Sequence, residues 1–331
     1  MVYSMFLIED FYERYGSILL LKLLTNKESL SRRMTNSDVQ RAGLYLTGSL
    51  EDYFGNRLLF LGKQEVNYLQ SLEPSVQRER LEAVIKEETP AVVITRNNEP
   101  SQELLSVCRE KNIPLFSSGH KTITFFSKIN RLLTEEFAPV ASRHGTLVEV
   151  FDVGVLIEGD SSIGKSETAL GLIERGHRLI SDDIVRIKKR EASYLEGQGA
   201  ELTRHHMEIR GIGIINVANL YGAFCVKDKK NIDMIVKLEV WDDTTFYDRV
   251  GVEEQTINIL EVDVPYATLP VKPGRDVVLL LETMALNHRL KKMGFHSAKE
   301  FHSRLSQTII AKTPKKGRLA YEATANSLCE K

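Results

Sequence analysis

Between Val153 and Gly176 the chain runs an apolar strand into a glycine-bearing loop and out into a helix, an order that few folds accommodate. The strand is VGVLI (Val153–Ile157). The loop Gly159-Asp160-Ser161-Ser162-Ile163-Gly164-Lys165-Ser166 fits the pattern GxxxxGK followed by serine. ETALGLIERG then continues as a helix whose Ala169, Leu172 and Ile173 share one face, with Gly176 placed for a left-handed C-cap. Gly159 and Gly164 let the backbone turn tightly, so that successive N–H groups point at phosphate oxygens, and the helix N-terminus adds a favourable dipole. In such a loop Lys165 reaches the β- and γ-phosphates of a nucleotide, and the Ser166 hydroxyl ligates Mg²⁺. The plainer alternative is a glycine turn that merely joins strand to helix.

The rest of the chain reads as α/β. RLLFLG (Arg57–Gly62) is a short strand followed by a helix over Gln64–Leu72, and AVVIT (Ala91–Thr95) is a strand apolar on both faces. EPSQELLSVCREKN supplies a helix opened by Pro100 and Ser101, and IPLFSS (Ile113–Ser118) a second strand, which together make a βαβ unit. Phe125, Phe126, Ile129, Leu132 and Leu133 fall at helical spacing and form one apolar stripe for a core or an interface. FAPVASRHG (Phe137–Gly145) breaks the pattern, so a domain boundary is expected there.

Beyond the boundary, TLVEVFDVGVLIEG gives two β-rich runs with a turn near Asp152–Gly154. RLISDD, VRIKKR, IDMIVKLEVWDD and INILEVDVPYATLPV are further strands, and DVVLLLETMALNHRLKKMG is a long helix on their sheet. The expected architecture is a small N-terminal α/β domain over residues 1–138 and a C-terminal P-loop kinase domain over 139–310, with a mixed sheet and C-terminal helices. Residues 311–331 lose apolar periodicity and read as a mobile tail.

Charge and cysteine content narrow the function. Forty-four basic against forty-five acidic residues leave a net charge of −1, which argues against nucleic-acid binding through bulk positive charge. No segment reaches the ~18 continuous apolar residues of a membrane span, and the N-terminus, interrupted by Glu9, Asp10 and Glu13, is no leader. Cys108, Cys225 and Cys329 lie far apart without a CxxC pair, which suits a reduced, cytoplasmic setting. His205, His206, His288, His296 and His302 lack tight metal spacing, and the basic runs Lys188–Arg190 and Lys227–Lys230 suit solvated faces.

The lack of an NKxD motif after the loop argues against a regulatory GTPase, and Asp242-Asp243-Thr244-Thr245 is not DxxG. RLISDD instead ends a strand in Asp182 and Asp183, and carboxylates at a strand's C-terminal end face the crevice where α/β sheets bind ligands. One of the two could take the proton of an attacking hydroxyl; a solvated turn is the alternative.

GDSSIGKSETALGLIERGHRLISDD, followed by EIRGIGIINV (Glu208–Val217), resembles the HPr kinase/phosphorylase family, bacterial enzymes acting on a serine of the phosphocarrier protein HPr. The second segment is the family's own signature and is more specific than the phosphate loop. The resemblance runs through SDVQRAGLYLTG, LGKQEVNYL, SRHGTLVEVF and VKPGRDVVLLLE to the FHSRL helix, nearly the whole chain up to about Leu305. Ser162 and Ile163 stand where the family usually has Gly-Val.

The resemblance implies an Mg²⁺-dependent bifunctional enzyme. Such an enzyme phosphorylates HPr with ATP or pyrophosphate, removes the phosphate by phosphorolysis to pyrophosphate, and regulates bacterial carbon metabolism and sugar uptake. It also implies a homo-oligomer, the hexamer of the family. His144, read as standing just before the first strand of the catalytic domain, matches the catalytic histidine, and Asp183 matches the general base. Glu208 matches a magnesium ligand, although on chemistry alone it is equally an exposed charge beside Arg210. The signature loop spans Met207, Glu208, Ile209, Arg210, Gly211, Ile212, Gly213, Ile214, Ile215 and Asn216. Arg249 matches the catalytic arginine that neutralises the transferring phosphoryl group; a surface ion pair with Asp248 or Glu253 is its other reading. Pro270, Val271, Lys272, Pro273, Gly274 and Arg275 match the loop tied to dephosphorylation, or form only a turn. The rival readings are a small-molecule kinase on the same loop, a nucleotide-sensing regulator without turnover, and an N-terminal half that is itself a ligand sensor, for which its βαβ frame offers no convergent polar set.

Overall fold

The computed structural model describes residues 6–48, 55–190, 194–245 and 254–312. The chain divides into two compact units, Met1–Ala138 and Pro139–Lys331.

The first unit begins with β1 (Phe6–Leu7), α1 (Ile8–Tyr15), β2 (Leu21–Leu23), β3 (Arg33–Met34) and β4 (Val39–Arg41). It continues with β5 (Leu58–Leu61), α2 (Lys63–Gln70), α3 (Pro74–Val84), β6 (Val92–Thr95), α4 (Gln102–Glu110), β7 (Leu115–Ser118) and α5 (Thr122–Glu136). Its sheet runs β2-β7-β6-β5-β4, with β4 to β7 parallel and β2 antiparallel at the edge. Every residue of β5, β6 and β7 is buried, because alternate side chains enter opposite layers. Leu59, Leu61, Val92 and Ile94 meet α2, α3 and α4 on one face, whereas Leu58, Phe60, Val93 and Phe116 meet α1 and α5 on the other. The expected βαβ unit is β6–α4–β7, its helix capped by the Ser101 hydroxyl accepting from the Leu104 N–H. The apolar stripe is core at Phe125, Ile129 and Leu133, while Phe126 is 43% exposed.

The second unit opens on a strand that the sequence hid. Phe137–Gly145 reads as a break in pattern, yet β8 occupies Val140–His144 and pairs with a later strand. It is a sheet edge with no buried residue, so its sequence carries no apolar alternation. His144 therefore ends the first strand of this unit rather than preceding it.

From there β9 (Thr146–Val150), β10 (Val153–Gly159), α6 (Lys165–Glu174), β11 (Arg178–Ser181), β12 (Ile184–Arg190) and β13 (Tyr194–Gln198) follow. Next come β14 (His206–Ile209), β15 (Gly213–Asn216), α7 (Val217–Tyr221), β16 (Lys229–Asn231) and β17 (Met234–Val240). The unit closes with β18 (Gln255–Ile259), β19 (Val262–Val271), α8 (Val277–Lys292) and α9 (Ser297–Lys312). Helix α9 reaches Lys312, into the segment expected as a tail, and residues 313–331 lie outside the described residues.

The β9–β10 turn is at Phe151 and Asp152, both with positive φ, which matches a two-residue primed hairpin turn. Gly154, expected in that turn, instead lies within β10, where a Cβ would stand 1.8 Å from the Asn231 carbonyl oxygen.

A six-stranded mixed sheet runs β11-β9-β10-β17-β19-β18, with β10, β17 and β19 parallel. A four-stranded antiparallel sheet, β16-β13-β12-β8, covers one face, and Leu156, Ile180 and Ile235 pack there against Val185, Ile187 and Leu195. On the other face Val155, Ile157 and Val236 meet Ala169, Leu172 and Ile173 of α6 and Leu281 and Ala285 of α8. Each such buried aliphatic side chain contributes roughly 1.5–3 kcal/mol. Gly176 (φ +92) closes α6, as its N–H bonds Ile173 O and the His177 N–H bonds Leu172 O. Among the described residues no helix is long and apolar enough to cross a membrane.

The basic run Lys227–Lys230 is not merely a solvated face. Glu149 of β9 is buried and contacts Arg178 at 3.2 Å, Lys227 at 2.7 Å and Lys230 at 3.0 Å. Burial opposes its charge, but the hydrogen bonds from Lys227 and Lys230 outweigh that and hold its carboxyl below the usual range. Its folded-state pKa being lowered, this stabilisation is present at neutral pH and lost as pH falls through that pKa. Glu149→Gln should cost roughly 1–3 kcal/mol near neutral pH, less than a fully buried pair because two of the cations are partly solvated. Urea unfolding at about pH 7 and about pH 4 should show that cost shrinking in acid; a constant difference would mean that charge is not its source.

Candidate active site

The phosphate loop hangs from the C-terminal end of β10 and feeds α6. Gly159 (φ +144) is required sterically, since a Cβ there would lie 2.7 Å from the Leu238 carbonyl oxygen of β17. Gly164 (φ +99) turns the chain into the helix. Ser162 also holds a positive φ, +74, without being glycine, a conformation that costs an L-residue about 1–2 kcal/mol. Asp160, Ser161 and Ser162 are exposed, and Ile163 packs against the α6 core. Lys165 is buried and folds over its own loop, its Nζ donating to Gly159 O at 2.9 Å and Asp160 O at 3.1 Å. The ammonium thus stands inside the ring of loop carbonyls, within a side-chain rotation of any anion held by the loop's N–H groups.

Asp182 ties three elements to the loop. Its carboxylate is buried and accepts from Ser166 Oγ at 3.1 Å, from Thr146 Oγ1 of β9 at 2.7 Å and from the Glu208 N–H of β14 at 3.3 Å. Its neighbour Asp183 has φ +70, so the backbone reverses and the next carboxylate points outward, 69% exposed. There Asp183 Oδ1 stands 3.0 Å from His144 Nδ1. That contact is set by strand pairing, because His144 lies opposite Ile184 in the β8–β12 ladder and the Gly145 N–H bonds Asp183 O.

The signature segment is the β14–β15 hairpin, with Glu208 opposite Ile214. Met207 and Ile209 are buried in the α6 core, so the period-two pleat turns Glu208 and Arg210 outward. Gly211 (φ +80) and Gly213 (φ +99) make the turn, with Ile212 and Ile214 exposed, while Ile215 and Asn216 are half-buried and lead into α7. Ser166, Asp182 and Glu208 offer hard oxygen donors of the kind Mg²⁺ takes together with substrate phosphates. Among the described residues no group of three or more His, Cys, Asp or Glu is arranged to hold a metal by itself.

A cationic group lies at the ends of β17 and β19. Pro270 and Val271 finish β19, and Lys272, Pro273, Gly274 (φ +82) and Arg275 turn back from it. Lys272 Nζ stands 4.3 Å and Arg275 Cζ 5.3 Å from the Trp241 ring centroid. Arg249 lies outside the described residues.

Thr146, Trp241 and Glu158 belong to no motif in the sequence, and only the fold gives Asp182 its partners. Glu158 extends β10 one residue past the expected strand, beside Gly145, with Oε1 buried and without a hydrogen-bond partner. Arg143 Nη1 approaches it only to 3.8 Å. Burial pushes the Glu158 carboxyl up, and the opposing pull of Arg143, Lys237 and His144 does not cancel it.

Residues 135–305 match the sequence family described as HPr Serine kinase C-terminal domain, and residues 7–133 match HPr Serine kinase N terminus. The chain is 43% identical over 293 residues to an HPr kinase/phosphorylase of Leptospira biflexa, covering 88% of this chain and 91% of that protein. It is 40% identical over 303 residues to an HPr kinase/phosphorylase of Bacillus cereus, covering 92% and 96%. A solved structure of the Hpr(Ser) kinase/phosphatase from Coxiella burnetii aligns with a TM-score of 0.45 at 36% identity, over 49% of this chain and 98% of that one.

Glu158 supplies a test of the site's electrostatics. Its raised carboxyl contributes stability that is present in acid and lost as pH rises through its folded pKa. Glu158→Gln, which cannot ionise, should therefore raise the thermal midpoint by roughly 1–3 °C at about pH 8, with the gain vanishing below about pH 4. An equal shift at both pH values would contradict the burial account.

Proposed function

This chain belongs to the HPr serine kinase family, and we propose on that premise that the Gly159–Ser166 loop and the Asp182–Asp183 corner move a phosphoryl group to and from a serine of the phosphocarrier HPr. It is a kinase/phosphorylase by family. The observation that carries the site assignment is the Asp182 junction. One buried carboxylate accepts from Ser166 of the phosphate loop and from Glu208 N–H, while its neighbour Asp183 stands exposed against His144. The phosphate loop and an exposed carboxylate are thus joined through two adjacent chain positions, which supports the reading.

In the kinase direction the loop N–H groups and Lys165 hold the donor's terminal phosphates, ATP or pyrophosphate. Lys165 exchanges its two carbonyl contacts for phosphate oxygens. The seryl oxygen attacks the transferring phosphorus, Asp183 takes its proton, and ADP or phosphate departs. His144, 3.0 Å away, orients the Asp183 carboxylate. In the reverse direction an oxygen of inorganic phosphate attacks the phosphorus of phosphoserine. The seryl oxygen leaves with the proton from Asp183, and pyrophosphate is released. Ser166 and Glu208 would hold Mg²⁺, with Asp182 aligning the Ser166 hydroxyl; when bound, the ion neutralises charge on the phosphate oxygens. Lys272 and Arg275 suit the phosphate and phosphoserine of the reverse reaction, and Arg249 the charge of the transferring group. The catalytic unit begins at Pro139 in this reading, and the chains assemble as a hexamer.

The test is to incubate the chain with HPr, Mg²⁺ and ATP, and then to add excess phosphate. Phosphoserine should form first and pyrophosphate second; neither product would end the proposal. Asp183→Asn should lower both rates by about 10²–10⁴-fold with nucleotide affinity little changed. Retained activity in that variant would remove Asp183 from proton transfer.

A further inference from the structure

Trp241 follows β17 directly, and its backbone N–H donates to Val271 O at 2.8 Å, which aligns the ends of β17 and β19. This pairing brings the two cations of the following turn onto one ring, Lys272 at 4.3 Å and Arg275 at 5.3 Å from the centroid. The indole N–H is itself fixed, donating to Asp243 Oδ1 at 2.7 Å, and the Arg275 guanidinium is steadied by Pro270 O at 3.0 Å. Each cation is attracted by the negative face of the indole ring.

What the ring spares is as important as what it holds. Among the described residues neither Lys272 nor Arg275 forms an ion pair with a carboxylate. A carboxylate partner would neutralise the cations and would have to be displaced by an incoming anion. A π face attracts them more weakly and leaves their N–H donors free for phosphate oxygens. The place is also right: β17 lies between β19 and β10, and β10 ends in the phosphate loop. In the β10–β17 ladder Gly159 lies opposite Leu238, so Trp241 extends the strand next to the one that ends in the loop.

We infer that Trp241 is a positioning residue for phosphorolysis, whose ring presents Lys272 and Arg275 with their charges unneutralised to inorganic phosphate or phosphoserine. The inference rests on the reading of the Pro270–Arg275 turn as part of the dephosphorylation machinery. It assigns Trp241 no contact with the reacting atoms. Loss of the ring should act on phosphate binding more than on turnover, and more on the reverse reaction than on the kinase reaction.

The experiment uses the full chain with phosphoseryl-HPr, Mg²⁺ and varied inorganic phosphate, and in the other direction HPr with varied ATP. Trp241→Leu keeps apolar bulk and removes the π face; it should raise the KM for phosphate about five- to tenfold, with the KM for ATP changed less than twofold. Trp241→Phe, which keeps a weaker face, should raise the KM for phosphate only about twofold. Equal losses in both directions, or a phenylalanine variant as impaired as the leucine variant, would show a merely structural role and overturn the inference. If Trp241→Leu fails to fold, Trp241→Phe carries the test, and an unchanged KM for phosphate there overturns it. Lys272→Ala and Arg275→Ala separate the two levels. If they raise the KM for phosphate while Trp241→Leu does not, only the role of the ring is lost. If they too leave it unchanged, the phosphate-binding reading of the turn is lost with it.

Discussion

The Asp182 carboxylate is the interaction on which the rest of the site depends. A buried carboxylate is costly unless its lone pairs are used, and here donors come from Ser166 on the phosphate loop, Thr146 on β9 and the Glu208 backbone on β14. Each donor belongs to a different element, so satisfying one side chain sets the spacing of three. If the loop moved away, the carboxylate would lose the Ser166 donor shared by both of its oxygens and keep only Thr146 and the Glu208 N–H. Asp183 takes its place from the same corner, because the chain must reverse there for β12 to pair with β8.

Charge in the catalytic unit follows two regimes. Away from the loop, cations are neutralised: Lys227, Lys230 and Arg178 surround Glu149, and Arg175 bridges Glu282 and Asp276. Near the strand ends, positive groups are held by weaker means, Lys165 by loop carbonyls and Lys272 and Arg275 by an indole ring. Phosphoryl transfer gains most from charge that is placed beforehand and still available to the substrate. Among the described residues, Lys272 and Arg275 stand without the carboxylate partners that Lys227, Lys230 and Arg175 have.

How far the sequence could be read depended on how local each signal was. The β10–loop–α6 passage was legible because its apolar period and two glycines act within a few residues of each other. The β6–α4–β7 unit was legible for the same reason, with continuous apolar strands on either side of an amphipathic helix. Strand β8 was not, since an edge strand gains its identity from its partner and has no buried residue of its own. The Phe151–Asp152 turn adopts positive φ without glycine, so it begins one residue before the expected Asp152–Gly154 stretch. Glu158 looks in sequence like the polar end of a strand; its orphaned oxygen exists only because Gly145 and β8 close over it.

The glycine-bearing loop after β10, the helix that follows it and the signature of the family are legible along the chain, because glycine conformations, helical period and a contiguous motif act locally. Tertiary structure alone decided which of two adjacent aspartates turns inward and which meets His144, since that follows from a backbone reversal imposed by the β8–β12 pairing. It also decided that Trp241 faces Lys272 and Arg275, since they meet only where β17 and β19 run parallel. Sequence specifies what each segment becomes; contacts between segments far apart in the chain arise only when the sheet assembles and its register aligns their ends.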